Sequence, residues 1–186
     1  MTATSFRQRS RLPWLLLVSL AVLFMDRTSK EWVRVHIAVG HAITIIPRVF
    51  RITHVFNEGA AFSLFADTAT PQRVRWTLVA FSLVASAALF AALVRFSHRF
   101  TLTTLALAMI LGGAVGNAYD RIRYASVIDF IEIHIFRYHW PDFNLADSAI
   151  VLGACLLFLD TLLPDSSEQP HAHPDYPAAN ETTSRP

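Results

Sequence analysis

Two aspartates carry the strongest chemical potential in this 186-residue chain: Asp129, in Val127-Ile-Asp-Phe130, and Asp147, in Asn144-Leu-Ala-Asp147. Each stands where a polar segment joins an apolar run, so water around it is limited. Two carboxylates held close in a low-dielectric site cannot both ionise easily and tend to share one proton. One then serves as general base on a water while its protonated neighbour polarises a carbonyl, the arrangement of aspartic peptidases. Blander roles stay open for both. Asn144 with Asp147 three residues on fits a capping box at a helix start, and Asp129 could pair with Arg121 or Arg123.

Other polar residues fall at suggestive spacings. Asn117, Asp120 and Arg121 share one face of a continuing helix, either as part of a site or as an interfacial cap with an exposed ion pair. Asp26 and Lys30 are an i,i+4 pair of opposite sign, which could be no more than a surface salt bridge. Asn57-Glu-Gly59 reads as a turn followed by small residues that admit close approach of a peptide. Gly112-x-x-x-Gly116 suits tight helix packing in a membrane. His171-Ala-His173 lies in a proline-rich segment where a chance pair is the simpler reading. Asn180-Glu-Thr182 fits a glycosylation sequon that is silent on a cytoplasmic side, and Cys155 reads as a small buried apolar residue.

The elements that must position these residues follow from composition. The chain is 53% hydrophobic and 16% charged, against about 25% charged in ordinary soluble domains. This argues against a free-standing soluble enzyme and against disorder over most of the length. One cysteine excludes an intrachain disulfide, and a net charge of +2 gives no reason to expect a nucleic-acid partner. Trp76–Val94 and Thr101–Ala118 are uncharged runs of membrane-crossing length. Leu12–Met25 and Ser148–Leu159 are shorter and span only by taking ionisable residues into their ends, where such residues are costly and read as functional. Four spans result, at about 12–28, 74–95, 101–119 and 145–163. The first ends in Met25-Asp26-Arg27 without a small-x-small cleavage site, so it reads as an uncleaved anchor.

Arg7, Arg9 and Arg11, with Arg95, His98 and Arg99 between spans two and three, place both ends of the chain in the cytoplasm. The stretch from Arg27 to Arg75 is also basic, but long loops constrain orientation less. Val49–Phe56 alternates, with Phe50, Ile52, His54 and Phe56 on one face and Arg51 and Thr53 on the other, a strand pattern. Ile43–Ile46 is a weaker one, and the alternation returns at Ile131, Ile133 and Ile135. An outer β region of about 36–66 is therefore expected. Pro164–Pro186 carries Asp165, Glu168, Asp175 and Glu181 against Arg185 and reads as a disordered cytoplasmic tail, residues 1–163 forming one membrane domain. Threaded this way, Asp26, Asn57, Asn117 to Asp129 and Asn144 to Asp147 all emerge on the outer side.

Taken together, Asp26-Arg-Thr-Ser-Lys30, Asn57-Glu-Gly-Ala-Ala-Phe-Ser63, Gly112-Gly-Ala-Val-Gly-Asn-Ala-Tyr-Asp-Arg121, Val127-Ile-Asp-Phe130 and Phe143-Asn-Leu-Ala-Asp-Ser-Ala-Ile150 resemble the bacterial lipoprotein signal peptidases, or signal peptidase II. The five stretches occur in family order, and the first eleven residues and the tail lie outside them. The resemblance implies a mainly α membrane protein, a four-helix bundle with a small extracytoplasmic β-cradle. It puts the two hydrolytic aspartates on Asp129 and Asp147, the pair nominated above. It further implies that Asn57, Gly59, Asn117, Arg121, Asn144 and Ala146 shape the site or hold the substrate backbone, with Asp26 and Lys30 in support. Two departures stand out: Ala125, where many members have glycine, and Arg27, where glutamine is frequent. If the backbone at 125 needs positive φ, alanine costs free energy.

The expected activity is removal of the signal peptide from diacylglyceryl-modified prolipoproteins, on the amino side of the lipidated cysteine, at the bacterial inner membrane. No cofactor or metal is expected, since no serine-histidine or zinc-ligand constellation stands out. The expected partners are the prolipoprotein and membrane lipid, not nucleic acid, and the enzyme is expected as a monomer. A proton-coupled transporter would also use intramembrane carboxylates, but it predicts acids at the midplane and on both sides. A structural scaffold would explain the glycines and leave the aspartates unexplained.

Overall fold

A computed structural model describes residues 10–59 and 70–163. The basic residues before 10, residues 60–63 of the Asn57 stretch and the tail from 164 lie outside the described residues. Among the described residues four helices are long and apolar enough to cross a membrane: α1 (Leu12–His36), α2 (Pro71–Phe96), α3 (Leu102–Tyr124) and α4 (Leu145–Leu162). Pro13 and Pro71 lie in the first turns of α1 and α2, where a missing N–H removes no helical bond. Capping boxes start the other two, Thr101 with Thr104 and Asn144 with Asp147. The helices run past the ends read from the sequence, α1 to His36 and α3 to Tyr124. The charges that mark those ends, Lys30 and Asp120, are fully buried and paired inside the bundle.

Helix α3 is the axis of the bundle, with 56% of its apolar window buried against 11–17% for the other three. Trp14, Leu17, Leu20 and Phe24 on α1, Phe81 and Val84 on α2, and Val151 and Phe158 on α4 stay exposed. In hydrocarbon such a surface costs nothing, so association must come from close packing. Small residues supply it. A Cβ at Gly112 would stand 2.5 Å from the Ser19 carbonyl oxygen of α1, and one at Gly113 would meet the Ala146 carbonyl of α4. The Ser19 hydroxyl also donates to the Ala108 carbonyl at 2.7 Å.

Strands β1 (Ala42–Ile46), β2 (Phe50–Asn57), β3 (Val127–Ile135) and β4 (Tyr138–His139) form one antiparallel sheet in the order β1-β2-β3-β4. The expected alternation of β2 does not hold along its length. Ile52 pairs with Ile131 but Val55 pairs with Asp129, so Thr53 and His54 together oppose Phe130. This is a β-bulge, and one extra residue reverses the facing of everything after it. Phe56 therefore leaves the face of Phe50 and Ile52, and Asn57 joins the face of Asp129. The bulge is anchored by His54, whose Nδ1 lies 2.7 Å from the Ile37 carbonyl just past α1.

Between α3 and β3 the chain turns through Ala125, which is left-handed at φ +63°. A side chain in that conformation costs about 1–2 kcal/mol, and glycine is the ordinary solution for a helix end of this kind. Ala125→Gly is expected to raise stability by about 1 kcal/mol after glycine's own entropic cost, read as a higher thermal unfolding midpoint in detergent.

Candidate active site

At the end of the bundle that meets the sheet, a buried ammonium organises the polar residues. Lys30, fully buried on α1, places Nζ 2.8 Å from Asp26 Oδ2, 2.8 Å from Asp120 Oδ2 and 3.1 Å from Asn117 Oδ1. Asp26 and Asn117 accept hydrogen bonds from the ammonium, whereas Asp120 Oδ2 faces it as an ion-pair partner without a hydrogen bond. Arg27 also pairs with Asp120 while lying 4.5 Å over the Tyr119 ring. The Asp26–Lys30 pair is thus an interior ion pair, not the surface bridge its spacing allowed. Asp26 Oδ1 in turn accepts from the Ala146 backbone N–H at 3.0 Å, tying α1 to the first turn of α4. Gly116 makes room for this, since a Cβ there would come within 2.8 Å of Asp26 Oδ2.

Because Asn117 Oδ1 faces Lys30, its amide nitrogen points the other way and donates to Asp147 Oδ1 at 2.7 Å. Asn144 then links both aspartates. Its Nδ2 donates to Asp129 Oδ1 at 2.7 Å, its backbone N–H donates to Asp147 Oδ2 at 3.3 Å, and its Oδ1 accepts the Asp147 N–H at 2.9 Å. The capping role open for Asp147 is therefore real and coexists with its place in the cluster. Asn57 Nδ2 donates to Asp129 Oδ2 at 2.9 Å, and Asn57 Oδ1 accepts from the Gly59 N–H at 2.9 Å. Gly59 has φ +96°, a conformation glycine adopts without strain. Among the described residues no ion pair joins Asp129 to Arg121 or Arg123.

All ten residues singled out in the sequence lie in this cluster or touch it. Arg121 donates from Nη1 to the Asn117 carbonyl at 3.3 Å, and its charge acts on both Asp147 and Asp129. Ala146 is fully buried beneath them. Two contributors lie outside those ten, Asp120, for which the sequence left an interfacial cap open, and Arg75, which it did not raise. Asp120 is a second counter-ion of Lys30. Arg75 donates from Nε to the Arg121 carbonyl and from Nη2 to the Ile122 carbonyl, each at 2.8 Å, and so satisfies the last turn of α3 from α2. Asp120 was visible as a face-sharing neighbour of Asn117; nothing local marks Arg75.

Asp129 is 2% exposed. Burial pushes its carboxyl up to about 6, assisted by the Asp147 charge and opposed by the amides of Asn57 and Asn144. One carboxyl that holds its proton up to about pH 6, beside a second at the positive end of α4, makes a pair able to share acid and base duties. An apolar cleft of about 540 Å³ opens beside Asp147, lined by Ile133, Ile135, Trp140, Phe143, Val151 and Leu152. Among the described residues, donors able to group around a metal lie elsewhere, at Glu132 and His134 on the opposite face of β3 and His139 of β4.

The model of the family described as Signal peptidase (SPase) II matches residues 18–163. Similar proteins include lipoprotein signal peptidases of Ectopseudomonas mendocina, 45% identical and covering 84% of this chain and 91% of the relative, and of Pseudomonas putida, 44% identical and covering 86% and 92%. Two solved structures described as bacterial membrane enzymes share the fold. One has a TM-score of 0.74 at 24% identity, covering 88% of this chain and 96% of its own. The other has 0.67 at 26%, covering 87% and 99%.

Lys30→Met keeps the packing volume but strips Asp26 and Asp120 of their shared cation. Breaking a buried pair in this way costs about 3–5 kcal/mol, so this variant is expected to lose most of its folded fraction in detergent, measured by thermal unfolding.

Proposed function

The chain belongs to the signal peptidase II family, and on that footing we propose that it removes the signal peptide from lipid-modified prolipoproteins, cleaving on the amino side of the lipidated cysteine with Asp129 and Asp147. It is a multi-pass bacterial membrane protein and a peptidase of the aspartic type. The single observation that carries the catalytic assignment is the Asn144 bridge, which holds one carboxylate by its side chain and the other by its backbone.

In this reading Asp147 takes a proton from water as the water attacks the scissile carbonyl carbon, and protonated Asp129 donates to the carbonyl oxygen. Collapse of the tetrahedral intermediate breaks the C–N bond: the proton held on Asp147 passes to the departing amine, and a hydroxyl of the intermediate returns its proton to Asp129 as the carboxyl forms. Asn57, Asn117 and Asn144 fix the carboxylates, while the Arg121 charge offsets their repulsion. The apolar cleft beside Asp147 is suited to the hydrophobic part of the substrate, with the acyl chains in lipid. The gathering of these acids at one end of the bundle favours a peptidase over a transporter.

Orientation follows from charge. The start of α1 meets the α2–α3 junction, with the Arg11 N–H 2.7 Å from the Ser97 carbonyl, at the end opposite the site. Arg95 and Arg99 flank that junction, which supports a cytoplasmic N-terminus and C-terminus and a site at the outer face.

Asp129→Asn and Asp147→Asn should each abolish release of the signal peptide from a lipid-modified precursor in detergent while the protein remains inserted; full activity of both variants would sink the assignment. The proton on Asp129 is lost as pH rises through about 6, so kcat/KM should fall above that pH, approaching tenfold per unit. Asn57→Ala removes a donor that favours the ionised carboxylate, so the same limb should move to higher pH. An unshifted limb would separate Asn57 from the Asp129 proton.

A further inference from the structure

The face of β3 turned away from Asp129 carries a second cluster that the hydrolysis does not use. Glu132 and His134 alternate on that face, His139 of β4 pairs across from His134, and Arg51 of β2 pairs across from Glu132. Asp142 approaches from the segment between β4 and α4. His134 Nε2 lies 2.7 Å and His139 Nε2 3.1 Å from the same oxygen, Glu132 Oε1, and His139 Nε2 is 3.5 Å from Asp142 Oδ1. The Glu132 side chain is 4% exposed, whereas those of His134 and His139 are 30% and 52% exposed, leaving an open side.

Hydrogen bonds alone account poorly for this arrangement. Arg51 already donates from Nε to Glu132 Oε2 at 2.6 Å and from Nη2 to Oε1. Arg51 and His134 already fill the two lone-pair directions of Oε1, so His139 Nε2, 3.1 Å away, crowds that oxygen without a hydrogen bond to it. Asp142 Oδ1, meanwhile, is buried and has no hydrogen-bond partner among the described residues, and such an atom calls for an explanation. A third nitrogen crowded against one carboxylate oxygen and an unpartnered oxygen on its neighbour are both resolved if a cation takes the place of the ring hydrogens. Each Nε2 then offers a lone pair, Glu132 Oε1 and Asp142 Oδ1 gain a positive partner, and Arg51 keeps Oε2.

We propose that Glu132, His134, His139 and Asp142 bind a divalent cation of the zinc type. Two imidazoles and two carboxylates suit zinc better than calcium or magnesium, which take oxygen ligands. The ligand atoms of Glu132, His134 and His139 lie within 4.8 Å of one another. Those of a tetrahedral centre with bonds of about 2.0–2.1 Å stand about 3.3 Å apart, so binding would open the 2.7 Å His134–Glu132 contact and close the widest separation by up to about 1.5 Å, within reach of rotation of the part-exposed imidazoles. The ion would pin β4 and Asp142 to the strand bearing Asp129, immediately before the Asn144 cap.

The test is calorimetric titration of zinc chloride into the purified full-length protein in detergent, with cobalt(II) absorption as a readout of coordination. One zinc per chain with a micromolar or tighter dissociation constant is expected, with affinity falling at least about tenfold in Asp142→Asn and in His134→Ala/His139→Ala. His171→Ala/His173→Ala should bind as the unaltered chain does. Absence of saturable binding, or binding that survives loss of His134 and His139 and disappears with His171 and His173, overturns the proposal.

Discussion

A fully buried ammonium governs this molecule. Lys30 could not stay charged in the interior without compensation, because an unpaired ion there costs several kcal/mol. Asp26, Asp120 and Asn117 meet that demand from two helices, and each is thereby fixed in orientation. Asp26 reaches α4 with its second oxygen, so α1, α3 and α4 converge on one polar knot. In a bilayer, where apolar side chains gain nothing by leaving lipid for protein, such a knot and the close contacts at Gly112, Gly113 and Gly116 hold the bundle.

The placement of Asp129 and Asp147 is a consequence of that knot relayed through amides. Lys30 decides which end of the Asn117 side chain faces inward, and the other end is left for Asp147. Asn144 does similar work between strand and helix: the residue that starts α4 also restrains the carboxylate on β3. A helix cap and a reactive pair are ordinarily separate devices. Here one side chain serves both, so the position of Asp147 is as stiff as the helix start itself.

Much of this was legible in the residue string. The apolar runs, the acids at their ends and the capping pattern of Asn144 announced four helices and the pair Asp129 and Asp147, because each depends on local periodicity or short spacing. The positive φ at Ala125 followed from a residue that stands where glycine is usual. The β2 pattern misled at Thr53-His54, since a bulge has no local signature when both residues suit a strand. Asp26 and Lys30 looked like a surface pair because i,i+4 spacing says that two groups meet and nothing about what encloses them.

Sequence alone therefore determined the membrane class, the helices and the two aspartates that stand at their polar ends, all properties of the chain read over a few turns. Tertiary structure decided what those groups face. Only packing could bury Lys30 among partners 87 and 90 positions away, bring Asn57 to Asp129 across a bulged sheet, or gather Glu132, His134, His139 and Asp142 on one face. The physical reason is that burial and long-range hydrogen bonding depend on which surfaces meet in space. Local pattern sets which surfaces exist, and the assembled bundle and sheet set their neighbours.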